Sequence, residues 1–115
     1  MRLVYLETPY AADTPEGIAA NEAYARACMA DCLRRGEAPL ASHLLYTQPG
    51  ILDDTIPEER ELGMDAGFAW GEFAHASVFY VDHGWSLGMI VGMDNAAREG
   101  RKIECRRLDG KDVTL

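Results

Sequence analysis

Ser77-Val78-Phe79-Tyr80-Val81, running directly into Asp82-His83-Gly84-Trp85-Ser86-Leu87-Gly88-Met89, decides the fold. The first five residues are β-branched, aromatic or small and predict a buried strand. Ser86 is a natural N-cap, and the residues after it predict a helix through Ala97 that Gly100 stops. A buried strand that turns straight into a helix is the repeating unit of a parallel α/β sheet.

Working outward, Lys102-Ile103-Glu104-Cys105-Arg106 alternates as a following strand before the turn at Asp109-Gly110, and the tail Asp112-Val113-Thr114-Leu115 is expected to pair back as a short edge strand. Upstream, Arg2-Leu3-Val4-Tyr5-Leu6 reads as a buried strand that enters a loop at Glu7-Thr8-Pro9-Tyr10. Asp13-Thr14-Pro15 supplies cap chemistry with proline at the first helical position. Apolar residues from Ile18 to Leu33 then carry a helix over about residues 14–35, with Gly36 as its stop. Ala38-Pro39-Leu40-Ala41 predicts a short second strand, with Pro39 suited to a strand start and weak inside one. Ser42 to Ile56 reads as a loop of a length that marks function. Pro57-Glu58-Glu59-Arg60 has the acidic first turn of a helix that continues to about Ala74.

The resulting order, β-α-β-loop-α-β-α-β, is that of a doubly wound sheet, predicted here as a single α/β domain over 1–115 with four or five mainly parallel strands. Ligands of such sheets sit beyond the carboxyl ends of the strands. Three segments meet there: Glu7 to Tyr10, Ser42 to Tyr46 and Asp82 to Ser86.

Composition bounds the function. The 115 residues carry a formal charge of −8, with 5 basic and 15 acidic side chains over residues 1–97 and 6 and 4 over the rest. That balance excludes a broad basic face for double-stranded nucleic acid. No apolar run reaches the roughly 18 residues of a membrane span, and the N-terminus lacks a signal peptide's pattern, so a cytoplasmic protein with no membrane partner is expected. The odd number of cysteines (Cys28, Cys32 and Cys105) and their spacing predict reduced core thiols, with no metal or redox site. Asp53-Asp54 with Glu58-Glu59 lacks calcium-loop spacing.

Neither phosphate signature, G-x-x-x-x-G-K-[ST] or G-x-G-x-x-G, is present, which disfavours phosphoryl and dinucleotide-dependent hydride transfer. The turn at Gly84-Trp85-Ser86-Leu87-Gly88-Met89 reads either as a plain cap or as a phosphate cradle built from Ser86 and the first free N–H groups of the helix. Gly84, Gly88 and Gly92 recur every four residues. Each helical glycine costs roughly 0.8–1 kcal/mol, so a close approach to ligand, sheet or partner helix is expected to compensate. His43 and Tyr46 suit hydrogen bonding to and stacking on a base, and Tyr10, His83 and Trp85 are placed to line the same crevice. His75 reads as a helix C-terminal residue interacting with the dipole.

These residues carry a resemblance. Tyr5-Leu6-Glu7-Thr8-Pro9-Tyr10, His43-Leu44-Leu45-Tyr46-Thr47-Gln48, Leu52-Asp53-Asp54, Pro57-Glu58-Glu59-Arg60-Glu61-x-Gly63 and Ser86-x-Gly88-Met89 resemble the nucleoside 2-deoxyribosyltransferase-like superfamily, over about residues 3–107. The likeness is to a branch of small bacterial and phage proteins. It implies a flavodoxin-like or Rossmann-like domain that assembles into homo-oligomers and needs no cofactor. It also implies a nucleoside or nucleoside 5′-monophosphate substrate, with N-glycosidase or deoxyribosyltransferase action at the N-glycosidic bond, where a carboxylate meets an oxocarbenium-like transition state. Thr8, Pro9, Tyr10 and Ser86, with Gly88 and Met89, would hold the sugar phosphate; His43 and Tyr46 would lie near the base, and Trp85 would bind substrate from the crevice wall.

The glutamate expected six residues after the serine is Gly92 here. Asp94, Asp82 and Asp65 are the candidate replacements, although Asp94 faces about 200° away from position 92 on a helix. If none serves, the alternative is a non-catalytic nucleotide-binding protein, a sensor or sequestering protein.

Overall fold

The computed structural model describes residues 1–113. Four strands, β1 (Arg2–Glu7), β2 (Glu37–Leu40), β3 (Ala76–Tyr80) and β4 (Lys102–Arg106), form one sheet in the order β2-β1-β3-β4, with every neighbouring pair parallel. Between them lie α1 (Pro15–Arg34), the single turn α2 (Ser42–Leu45), α3 (Pro57–Gly71) and α4 (Leu87–Arg98). This is the α/β architecture of flavodoxin-like and Rossmann-like domains. The chain leaves β1 toward one edge and β3 toward the other, so the switch point lies between these two central strands.

Local chemistry sets the helix ends. Thr14 caps α1 by accepting from Gly17 N at 3.0 Å, and Pro15 stands at the first helical position. Ser86 caps α4 by accepting from Met89 N at 3.2 Å. Gly36 and Gly100 follow α1 and α4 with φ of 79° and 68°, the left-handed geometry of a helix stop. The predicted loop from Ser42 begins as α2, a turn without side-chain capping that returns Tyr46 N to Ser42 O at 2.9 Å. Asp112 and Val113 form no strand, because the Asp109-Gly110 turn leads them off the sheet; Thr114 and Leu115 lie outside the described residues. His75 does not face the α3 dipole. Its backbone N–H donates to Leu3 O and its Nδ1 accepts from Leu3 N, both at 2.8 Å, which ties it to β1. No helix among the described residues is long and apolar enough to cross a membrane.

Strand alternation sends two different sets of side chains to the two faces. Val4, Leu6, Val78 and Tyr80 pack on Tyr24, Cys28 and Cys32 of α1 and form the apolar core. Small residues at helical spacing (Ala25, Cys28 and Cys32, all fully buried) let α1 lie close to the sheet. The opposite face presents Tyr5, Glu7, Ser77 and Phe79 to α3 and α4, and all four are buried. Tyr5 Oη hydrogen-bonds Ser42 Oγ at 2.7 Å, and α3 passes over that pair at Gly67, where a Cβ would stand 2.3 Å from Tyr5 Oη.

A charged cluster adds to the α1 side. Arg106 clasps Glu37 through two hydrogen bonds, Nη1 to Oε1 at 2.7 Å and Nη2 to Oε2 at 2.6 Å; both side chains are 7% exposed. Arg106 also reaches Glu104 at 3.0 Å and Tyr80 Oη at 3.3 Å. Tyr80 Oη in turn donates to Asp31 at 2.6 Å. The Arg106 bonds hold Glu37 below the usual carboxylate range. Breaking a buried pair by deleting one partner leaves an uncompensated charge. Glu37→Ala is therefore expected to lower unfolding free energy by about 3 kcal/mol in urea titrations. Asp94→Ala, which breaks the exposed Asp94–Arg98 pair, should leave the midpoint unchanged.

Candidate functional site

Beyond the carboxyl ends of β1 and β3 lies a cavity of about 280 Å³. That is near the roughly 300 Å³ lower bound for small-molecule sites. Its walls come from five places: Tyr5, Glu7, Thr8 and Tyr10 from the end of β1, Ser42 and His43 from α2, Asp54 from the following loop, Arg60, Met64 and Phe68 from α3, and Ser86, Leu87 and Gly88 from the start of α4. The long Ser42–Ile56 connection contributes because it folds back on itself. Asp53 accepts from Thr55 N and Oγ1, and Glu59 accepts from Asp53 N at 3.0 Å, which turns Asp54 toward the cavity.

Of the residues expected to bind a ligand, Thr8, Tyr10, His43, Ser86 and Gly88 line this cavity. Thr8 Oγ1 and His43 Nε2 share a hydrogen bond of 2.6 Å, and the Tyr10 ring meets the His43 ring edge-on at 6.2 Å. Burial pushes the His43 ring down to about 4, so it is neutral at physiological pH. The Ser86 hydroxyl is occupied as the α4 cap, and the N–H groups of Leu87 and Gly88 have no partner within the helix.

The structure places the other expected residues elsewhere. Pro9 is only the link between Thr8 and Tyr10. Tyr46 accepts from Trp70 Nε1 at 3.0 Å in an adjoining hollow. Trp85 packs on Phe79 with ring centroids 5.3 Å apart, and Met89 is fully buried under α4. His83 stacks on Tyr24 at 4.2 Å.

None of the three proposed acids lines the cavity. Asp82 accepts from Tyr24 Oη at 2.5 Å and from Leu108 N at 3.0 Å, which fixes the chain as it leaves β4 and holds the carboxylate below its usual range. Asp94 is exposed beside Arg98, at 2.9 Å, and Asp65 is exposed on α3.

The cavity's acids are instead Glu7 and Asp54, with Arg60 beside them. Desolvation raises Asp54, and Arg60 opposes that shift. Glu7 is 8% exposed, and burial pushes it up to about 8, against the weaker pull of Arg101. No hydrogen bond from the described residues reaches its carboxyl. Among those residues no fully enclosed side-chain oxygen lacks a partner, so the Glu7 oxygens touch open space. A Cβ added at Gly92 would stand 1.5 Å from Glu7 Oε2. The carboxyl sought on α4 is absent there, and the Glu7 carboxyl, rooted in β1, occupies the space where a side chain at 92 would begin. Glu7 was missed because a glutamate at a strand's end ordinarily marks the exit to solvent. The signal that pointed to it was the period of two, which puts Glu7 on the face of Tyr5.

The three spaced glycines have three separate reasons. Gly84 takes φ 84° in the turn, Gly88 lines the cavity and Gly92 makes room for Glu7.

Fold and site together define a parallel α/β domain with a small-molecule-sized cavity at the switch point of its sheet. Residues 2–106 match the sequence model of a family described as a domain of unknown function, DUF7768, and the chain belongs to that family. No curated protein matches it.

The Glu7 environment makes stability depend on pH. In the unfolded chain this carboxyl titrates near 4.5, and in the folded protein at about 8. Between these values the unfolded state loses the proton that the folded state keeps. The stability that protonated Glu7 contributes is therefore complete below about 4.5 and is lost as pH rises through about 8. Glu7→Gln keeps the shape without the titration. Its melting temperature should gain on the wild type by about 5–10 °C between pH 5 and pH 9, read by circular dichroism.

Proposed function

We propose that this cavity binds a nucleoside or nucleoside 5′-monophosphate and that the protein acts on the N-glycosidic bond, as an N-glycosidase or a 2-deoxyribosyltransferase-like enzyme. The observation that carries the reading is the make-up of this cavity. The free N–H groups at the start of α4, with Arg60 nearby, suit a phosphate or a sugar hydroxyl. The Tyr10 and His43 rings suit a base, and two desolvated carboxyls, Glu7 and Asp54, suit an oxocarbenium-like transition state. The resemblance to the nucleoside 2-deoxyribosyltransferase-like superfamily supports the same substrate class, and the reaction calls for no cofactor.

Gly92 favours a second reading, a sensor or sequestering protein that binds nucleotides without cutting them. Chromatography of ribo- and deoxyribonucleosides and their 5′-monophosphates after incubation with stoichiometric protein separates the two. Free base is the expected product. No free base, with the same compounds still raising the melting temperature, would establish the second reading in its place.

Self-association belongs to the same proposal. Leu87, Ile90 and Val91 of α4 and Leu62 and Trp70 of α3 are exposed, more apolar surface than a monomer of this size gains from showing. Light scattering should return a multiple of 12.7 kDa. A mass of one chain would count against it.

A further inference from the structure

Glu7 is the exception among the buried charged groups. Glu37 and Arg106 are each held by several hydrogen bonds, whereas no donor among the described residues reaches the Glu7 carboxyl. The cation whose charge acts on it, Arg101, is committed elsewhere: its Nε donates to Ser77 Oγ at 2.8 Å, and its two terminal nitrogens donate to Gly71 O and Asn95 Oδ1, each at 2.9 Å. A buried carboxyl without partners weakens a fold. A glycine in a helix interior weakens it too. Both penalties fall at one place, because the Glu7 carboxyl lies where a side chain at position 92 would begin: a Cβ there would meet Oε2 at 1.5 Å and Cδ at 2.5 Å. Nothing in the packing of the sheet requires either residue, since an apolar residue at 7 with alanine at 92 would serve the core better. What the pair achieves is a carboxyl fixed on a central strand and open to the cavity.

We infer that Glu7 is the catalytic carboxyl of this cavity and that position 92 is glycine so that it can be. The inference deepens the proposed function and rests on it. Asp82, which holds backbone N–H groups, Asp94, which pairs with Arg98 in solvent, and the exposed Asp65 do not line the cavity; Asp54 does, on a loop where the charge of Arg60 favours its ionised form.

Glu7 is protonated at neutral pH, which makes it an acid toward the leaving base. In hydrolysis the electron pair of the C1′–N bond leaves with the base, and the base takes the Glu7 proton. A water oxygen bonds to C1′, and the proton that this water sheds returns to Glu7 through solvent. The products are free base and free pentose, or the pentose 5-phosphate from a monophosphate, with no net change in the enzyme.

The test uses the full chain and whichever nucleoside or 5′-monophosphate the wild type cleaves fastest. Base release and ligand-induced melting shift are compared in Glu7→Gln, Glu7→Ala, Gly92→Glu and the double variant Glu7→Ala/Gly92→Glu. Glu7→Gln is expected to lose at least 100-fold in rate with its melting shift intact. Gly92→Glu alone forces two carboxyls into one space and should lose both rate and melting temperature. The double variant, in which loss of the Glu7 side chain clears the start of a glutamate side chain from the helix, should exceed Glu7→Ala at least tenfold.

Glu7→Gln within threefold of an active wild type overturns the inference and leaves the proposed function standing. So does a folded, ligand-binding double variant no faster than Glu7→Ala. A wild type that releases no base from any compound overturns the proposed function and this inference with it.

Discussion

Tyr5 and Glu7 stand two residues apart on one face of a central strand, and the helices above them must clear both. Each helix does so with a glycine. At Gly67 a Cβ would come within 2.3 Å of Tyr5 Oη, and at Gly92 within 1.5 Å of Glu7. The heights of α3 and α4 over the sheet are thus tied to these two side chains of β1. Because α3 also carries Arg60 and α4 begins at the cavity rim, the same clearance fixes the width of the site. Packing of this density leaves no room for a methyl group at either contact.

The two sheet faces obey different rules, and this explains what could be read from the amino-acid order. On the α1 side the rule is hydrophobic burial: Val4, Leu6, Val78 and Tyr80 against Cys28 and Cys32 follow the periods of two and about four that any amphipathic reading finds. Strand and helix positions followed from that pattern, as did the helix ends at Thr14, Gly36, Ser86 and Gly100, which depend on local chemistry alone. On the other face, Tyr5, Ser42, Ser77 and Arg101 join through hydrogen bonds between residues far apart in the chain. Such partners are matched only by the tertiary structure, and no period announces them.

The site was legible in the same uneven way. Thr8, Tyr10, His43, Ser86 and Gly88 were found because strand ends and a helix cap mark them. Asp54 and Arg60 depended on the course of a loop whose direction is set by side-chain contacts such as Glu59 to Asp53 N. Met89, although adjacent to the cap, is buried against the sheet, and Trp85 lies on Phe79 with its ring still partly exposed, so apolar contact draws both away from the cavity. Asp82, which looks poised at a strand exit, was claimed by the neighbouring strand's exit turn.

Both margins of the sheet are closed to extension. One is β2, four residues long, where Pro39 contributes no N–H for an incoming chain. The other is β4, which opens on the exposed Lys102. A parallel sheet of only four strands would otherwise offer two templates for intermolecular β-pairing. With both blunted, the strand edges of the described residues are poor templates for such pairing.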